Sequence, residues 1–96
     1  MQFKLKFTTE AKKKLEQIKQ NNPQKFKKVA QTLGRMEVNL RHPSLQTHQY
    51  HSFSGKNGEK VFESYVENKT PAAYRIFWHY GPSNQEITIL AITPHP

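Results

Sequence analysis

The sequence predicts a two-layer α+β fold: an N-terminal strand, a two-helix hairpin, then a three-stranded antiparallel meander. Three observations carry this prediction. Residues 2–7, Gln-Phe-Lys-Leu-Lys-Phe, alternate apolar and polar side chains with the period of a half-buried strand. Residues 9–40 instead space their apolar side chains three and four apart, the repeat of helices with one buried face. Beyond residue 59, three runs rich in aromatic and β-branched residues are separated by short turn-forming stretches, which favours antiparallel neighbours. At 96 residues the chain has the size of one domain, with at most two layers around one core.

Phe3, Leu5 and Phe7 share one side of the first strand, and lysines take the other. Thr8 and Thr9 offer an N-cap for a helix over 9–20, and Glu10 in its first turn meets the positive end of the helix dipole. Ala11, Leu15 and Ile18 form its apolar stripe. Asn21-Asn22-Pro23 stops this helix; Asn22 can cap the next, and Pro23 suits its first position. Phe26, Val29, Ala30, Leu33, Met36 and Leu40 then keep one face over 23–40, across Gly34, until His42-Pro43 ends the helix. Residues 41–59 are polar and histidine-rich, with two glycines. A structureless stretch of that length in a small domain is usually functional, disordered or a missed element.

Strands are predicted over 60–67, 73–80 and 86–93, with turns at Asn68-Lys69-Thr70-Pro71 and Gly81-Pro82-Ser83-Asn84. Two helices joined by a tight turn bury their stripes on one face of the sheet. Tyr74, Ile76, Trp78 and Tyr80 make the better core row, with Ile76 and Trp78 expected against Leu15, Ile18, Val29 and Leu33. Arg75, Phe77 and His79 then fall on the opposite, open face.

Composition narrows the function. Residues 1–41 hold 11 Lys/Arg against 3 Glu, whereas residues 42–96 hold 4 of each, so the whole net charge of +8 lies in the first part. Such a field suits a polyanion or an acidic protein partner. Cysteine is absent, which excludes disulfide scaffolds, thiolate zinc sites and cysteine nucleophiles. Aspartate is absent too, which argues against two-metal phosphoryl-transfer sites built on Asp clusters. The spacing His42-x5-His48-x2-His51 includes no carboxylate or cysteine, so no metal and no other cofactor are expected. No run approaches the roughly 18 apolar residues of a membrane span, and no basic-then-apolar leader opens the chain. The expected compartment is the cytoplasm, with no membrane partner.

The element order, the Ala-Tyr-Arg-Ile-Phe-Trp strand at 73–78 and the final strand running into Ile92-Thr93-Pro94-His95 resemble the RelE/ParE toxin superfamily. His-Pro-Ser-Leu-Gln-Thr-His at 42–48 resembles the loop before the second strand in YafQ-like members. The resemblance covers nearly the whole chain. It implies the toxin of a type II toxin–antitoxin system, a metal-independent endoribonuclease that cuts mRNA at the ribosome. It also implies an acidic antitoxin as partner, beside the ribosome and mRNA. The gyrase-inhibiting ParE branch shares the fold but not the activity. A ParE-like inhibitor, or a degenerate protein that only binds antitoxin, is therefore the alternative.

RNA cleavage requires a base for the 2′-hydroxyl, a cation near the phosphate and an acid for the leaving 5′-oxygen. Arg75 is the candidate phosphate clamp, because guanidinium meets phosphate oxygens as a fork, and the matching arginine is functional in RelE-like relatives. The competing role for Arg75 is an ion pair with Glu63 or Glu67 on the adjacent strand. His95 matches the terminal-strand histidine of YafQ-like enzymes and is the candidate acid, although relatives usually continue past the point where this sequence stops. His48 matches a loop histidine of the same group. Tyr65 stands near another active-site histidine position and is better suited to base stacking. His51, Lys56 and Lys60 complete the substrate-contact candidates. Lys12, Lys13, Lys19, Lys27 and Lys28 are the candidates for phosphates of ribosomal RNA or for an acidic antitoxin.

Overall fold

The structure, a computed structural model, describes residues 2–94. Its elements run β1 (Lys4–Phe7), α1 (Thr9–Asn21), α2 (Pro23–Val38), a 3-10 turn (Pro43–Leu45), β2 (His48–Ser54), β3 (Lys60–Tyr65), β4 (Tyr74–Tyr80) and β5 (Glu86–Pro94). The caps are those the sequence offers. The Thr8 hydroxyl accepts from the Ala11 amide at 3.1 Å, and the Asn22 side chain accepts from the Lys25 amide at 3.1 Å, with Pro23 opening α2.

The strands form one five-stranded sheet in the order β1-β5-β4-β3-β2. β2 to β5 make an antiparallel meander, and β1 returns to lie parallel to β5. The predicted three-stranded meander is therefore one strand short. The missing strand, β2, lies inside the polar segment 41–59. Its aromatic residues, Tyr50 and Phe53, stand three apart, which hides a period of two. A register shift between Gln49 and Ser54, where β2 advances five residues against two on β3, breaks the alternation and brings both rings onto Phe77 of β4.

Both helices cover one face of the sheet. Ala11, Ile18, Val29, Leu33 and Met36 pack with Ile76, Trp78, Ile87, Ile89 and Ile92, and Leu15 joins them partly buried. Trp78 is fully buried, as expected. Two positions of the predicted stripes differ. Ala30 is exposed, and the buried place on that turn of α2 goes to Thr32, whose hydroxyl donates to the Lys28 carbonyl at 2.8 Å. Tyr80, predicted in the core row, lies half-exposed at the end of β4, against the rings of Phe3, Phe62 and Trp78.

Candidate functional site

The face away from the helices is built from alternate residues of the strands. The register pairs His48 with Glu63, Glu63 with Phe77, and Tyr65 with Arg75, so these five side chains share that face. Four of them make one cluster. His48 Nε2 lies 2.8 Å from Glu63 Oε1, and its Nδ1 lies 2.8 Å from the Gln46 carbonyl. A carbonyl only accepts, so Nδ1 carries a proton in this bond. Nε2 faces a carboxylate, and both bonds are charge-assisted when the ring is imidazolium. The imidazole edge meets the Tyr65 ring, centroids 5.9 Å apart, and the Arg75 guanidinium lies over that ring at 3.6 Å.

Burial divides the roles. The Glu63 side chain is 5 % exposed, while that of His48 is 48 % exposed. Glu63 therefore reaches a ligand only through His48, in the way a buried carboxylate orients and charge-balances a catalytic imidazole. Arg75 corrects the sequence prediction of an open position. It is 6 % exposed, because Tyr65 covers it and β2 adds an edge to the sheet. Its Nη1 donates to the carbonyls of Glu67 at 2.7 Å and Tyr74 at 3.3 Å. Its Nε is buried without a hydrogen bond, 3.9 Å from Glu63 Oε2.

Two tethers hold this cluster. Trp78 Nε1 donates to Ser64 Oγ at 2.9 Å, and Ser64 Oγ in turn shares a 2.8 Å bond with Thr47 Oγ1, next to His48. Leu45, fully buried, anchors the preceding turn, and the Nδ1 of His42 accepts from the Ser44 amide. His42, read from sequence as a helix stop, is thus the cap of the 3-10 turn; α2 has already ended at Val38. On the other side, the Glu67 carboxylate bonds Lys25 of α2, Lys28 at 3.2 Å and the Tyr74 amide at 3.3 Å. Burial alone would raise this carboxyl, but these donors outweigh it and hold the group below the usual carboxylate range.

The structure brings together three predicted residues, His48, Tyr65 and Arg75, and adds Glu63, which the sequence had offered only as a structural partner of Arg75. The signal for Glu63 was its alternation with Tyr65 on a strand; its partner His48 was hidden by the unassigned β2. His51 is exposed on β2 and stands apart from this cluster. Lys56 lies exposed in the β2–β3 hairpin, and Lys60 lies exposed at the start of β3. Lys12, Lys13, Lys19 and Lys27 are exposed on the helical layer, on the opposite side of the sheet, and Lys28 is engaged with Glu67. His95 lies outside the described residues. Among the described residues no group of three or more His, Asp or Glu is arranged to hold a metal ion, and no helix is long and apolar enough to cross a membrane.

A second histidine–glutamate pair occupies the far end of the same face. His79 Nε2 is 3.9 Å from Glu59 Oε2 and its Nδ1 is 2.8 Å from the Tyr80 carbonyl. The backbone amides of Glu59 itself and Asn57 hold the Glu59 carboxyl below the usual range, with His79 adding to the effect.

This arrangement of helices, sheet order and parallel first strand recurs in solved structures. The YoeB/ParE toxin from Agrobacterium tumefaciens superposes with a TM-score of 0.72 at 12 % identity, over 98 % of this chain and 100 % of that one. The chain has the RelE/ParE toxin fold. The YoeB–YefM complex from Staphylococcus aureus matches with a TM-score of 0.68 at 14 % identity, over all of both chains. The archaeal RelE–RelB complex from Pyrococcus horikoshii OT3 matches with a TM-score of 0.67 at 13 % identity, over 98 % of this chain and 96 % of that one. No protein-family model and no curated protein matches the sequence. Within the RelE/ParE fold, the His48–Glu63–Arg75–Tyr65 cluster lies on the sheet face that the two helices leave uncovered.

Proposed function

We propose that this protein is the toxin of a type II toxin–antitoxin pair, a metal-independent endoribonuclease that cuts mRNA on the ribosome and is restrained by an acidic antitoxin. The observation that carries this reading is the His48–Glu63 pair beside Arg75, on a RelE/ParE-type sheet. An exposed imidazole backed by a buried carboxylate is suited to move protons, and a guanidinium beside it favours a phosphate gathering charge. For His48 to take the proton of the 2′-hydroxyl, the neutral ring releases the Gln46 carbonyl, so that Nε2–H donates to Glu63 and Nδ1 is the free base. The 2′-oxygen bonds to phosphorus, the bond from phosphorus to the 5′-oxygen breaks, and a second group returns a proton to that oxygen. His95 is the residue proposed for that second role. The products are a 2′,3′-cyclic phosphate and a free 5′-hydroxyl. Arg75 acts from beneath Tyr65; direct contact with the phosphate requires the tyrosine ring to move aside.

The partner assignment draws on the net charge of +8 and on like-folded toxins whose structures are complexes, YoeB with YefM and RelE with RelB. The ParE-like reading is favoured by one observation. Arg75 is covered and spends Nη1 on two backbone carbonyls, as a purely structural arginine would. Primer extension on cellular mRNA after induction separates the two. Discrete new 5′ ends are expected with the wild-type protein, and their loss with His48→Ala and Arg75→Ala, in variants that keep the native circular dichroism. Toxicity without cleavage, accompanied by inhibited DNA supercoiling, would replace the nuclease with the gyrase-directed reading.

A further inference from the structure

The sheet face that carries the cluster also carries an aromatic platform that the cleavage chemistry does not use. Tyr50 and Phe53 of β2 pack on Phe77 of β4 with ring centroids 4.9 and 5.7 Å away, and on each other at 5.5 Å. Beneath them Phe77 is 3 % exposed, whereas Phe53 is 44 % exposed. Phe53 is thus a ring open to solvent whose position is fixed by two other rings, so ordering it costs a ligand little. Tyr65, the residue the sequence suggested for base stacking, has one ring face already covered by Arg75 at 3.6 Å. Lys60, His51 and Glu59 line the same shallow cleft as Tyr50 and Phe53, so groups of both charges border it. His48 and Tyr50 are two residues apart on one strand, about 7 Å, which leaves room for an adjoining nucleotide between the proton-transfer pair and the platform.

We propose that Phe53, seated on Tyr50 and Phe77, stacks a nucleobase of single-stranded RNA, flanking the phosphate presented to His48. This deepens the nuclease reading and rests on it for the position of the phosphate. Sheet-borne aromatics bind single strands through the π-faces of unpaired bases. The net charge of +8 lies in residues 1–41, most of it on the helical layer, so stacking and not a local cationic field carries this contact. The stack would tolerate any base, so it adds affinity and register without a sequence code.

The test is fluorescence anisotropy with a short 2′-O-methyl oligoribonucleotide, which binds but has no 2′-hydroxyl to attack, and with the same oligomer carrying one abasic residue at successive positions. For wild type, one abasic position is expected to weaken binding by about 5- to 100-fold. Phe53→Ala should weaken the intact oligomer to a similar degree and be indifferent to that abasic position. Phe53→Leu still covers Phe77 but has no flat face, and should behave like Phe53→Ala; Phe53→Trp should restore affinity. An abasic penalty undiminished in Phe53→Ala would overturn the proposal. So would Phe53→Ala binding RNA like wild type while losing affinity for an acidic protein partner, which would make the platform a protein interface. Base-dependent binding without any mRNA cleavage would refute the nuclease reading and leave the stacking site standing. Cleavage without base dependence would do the reverse.

Discussion

Replacing Glu67 by glutamine tests how the Arg75 end of the sheet is held to the helical layer. The Glu67 side chain is 8 % exposed and that of Lys25 19 %, while that of Lys28 is 56 % exposed. Glutamine keeps the size of the side chain and can still accept from the Tyr74 amide, but it removes the charge. A hydrogen bond to a charged group contributes about 1.5–3 kcal/mol. The Lys28 pair is mostly in water and adds at most about 0.5 kcal/mol. The expected loss at neutral pH is therefore about 2–3 kcal/mol, or roughly 10–20 °C in Tm for a domain of this size. The pH dependence has a definite sign. The folded carboxyl titrates below its unfolded value, so its contribution is complete above the unfolded pKa of about 4.3 and is lost as pH falls through the lower folded value. Wild type and Glu67→Gln should differ most near neutrality and converge in acid. Urea unfolding at several pH values, followed by the fluorescence of the single, buried Trp78, measures this directly. A stability difference that is the same at neutral and strongly acid pH would refute the argument, since the effect would then come from packing and not from charge.

Other predictions follow from the same geometry. Ser64→Ala leaves Trp78 Nε1 buried without its acceptor and releases Thr47, so a loss of about 1–3 kcal/mol is expected by denaturant unfolding; a change under a few tenths would mean that Trp78 finds another partner. Glu63→Gln should lower RNA cleavage by about 10²-fold or more by mis-orienting His48, and should also lower stability because Arg75 keeps a buried charge with a weaker partner. Unchanged cleavage in the folded variant would remove Glu63 from the site. Charge-neutral replacement of Lys12, Lys13, Lys19 and Lys27 should flatten the salt dependence of ribosome binding by about 0.7–0.9 in log–log slope per lost phosphate contact. An unchanged slope would assign the helical lysines to another surface.

The local elements of this protein were legible in the sequence because each depends on neighbours a few residues away. Thr8 and Asn22 cap the two helices, Pro23 opens the second, and Ala11, Ile18, Val29, Leu33 and Met36 mark the stripes that the sheet covers. The strand bearing Arg75 and its division into a Trp78 side and a Phe77 side were legible for the same reason. β2 was not: its register against β3 shifts between Gln49 and Ser54, and a period count cannot register inserted residues. Without β2 the sequence offered Arg75 as an open position, and Glu63 only as its possible partner. Pairing β2 with β3 is a contact between segments separated by a hairpin, and it alone sets His48 on Glu63 and adds the rings of Tyr50 and Phe53 above Phe77. The sequence by itself thus determined the helices, the core and the charge. Only the tertiary structure decided which imidazole meets which carboxylate, and that Arg75 lies under Tyr65, because cross-strand register is set by the packing of the whole sheet and not by any local run of residues.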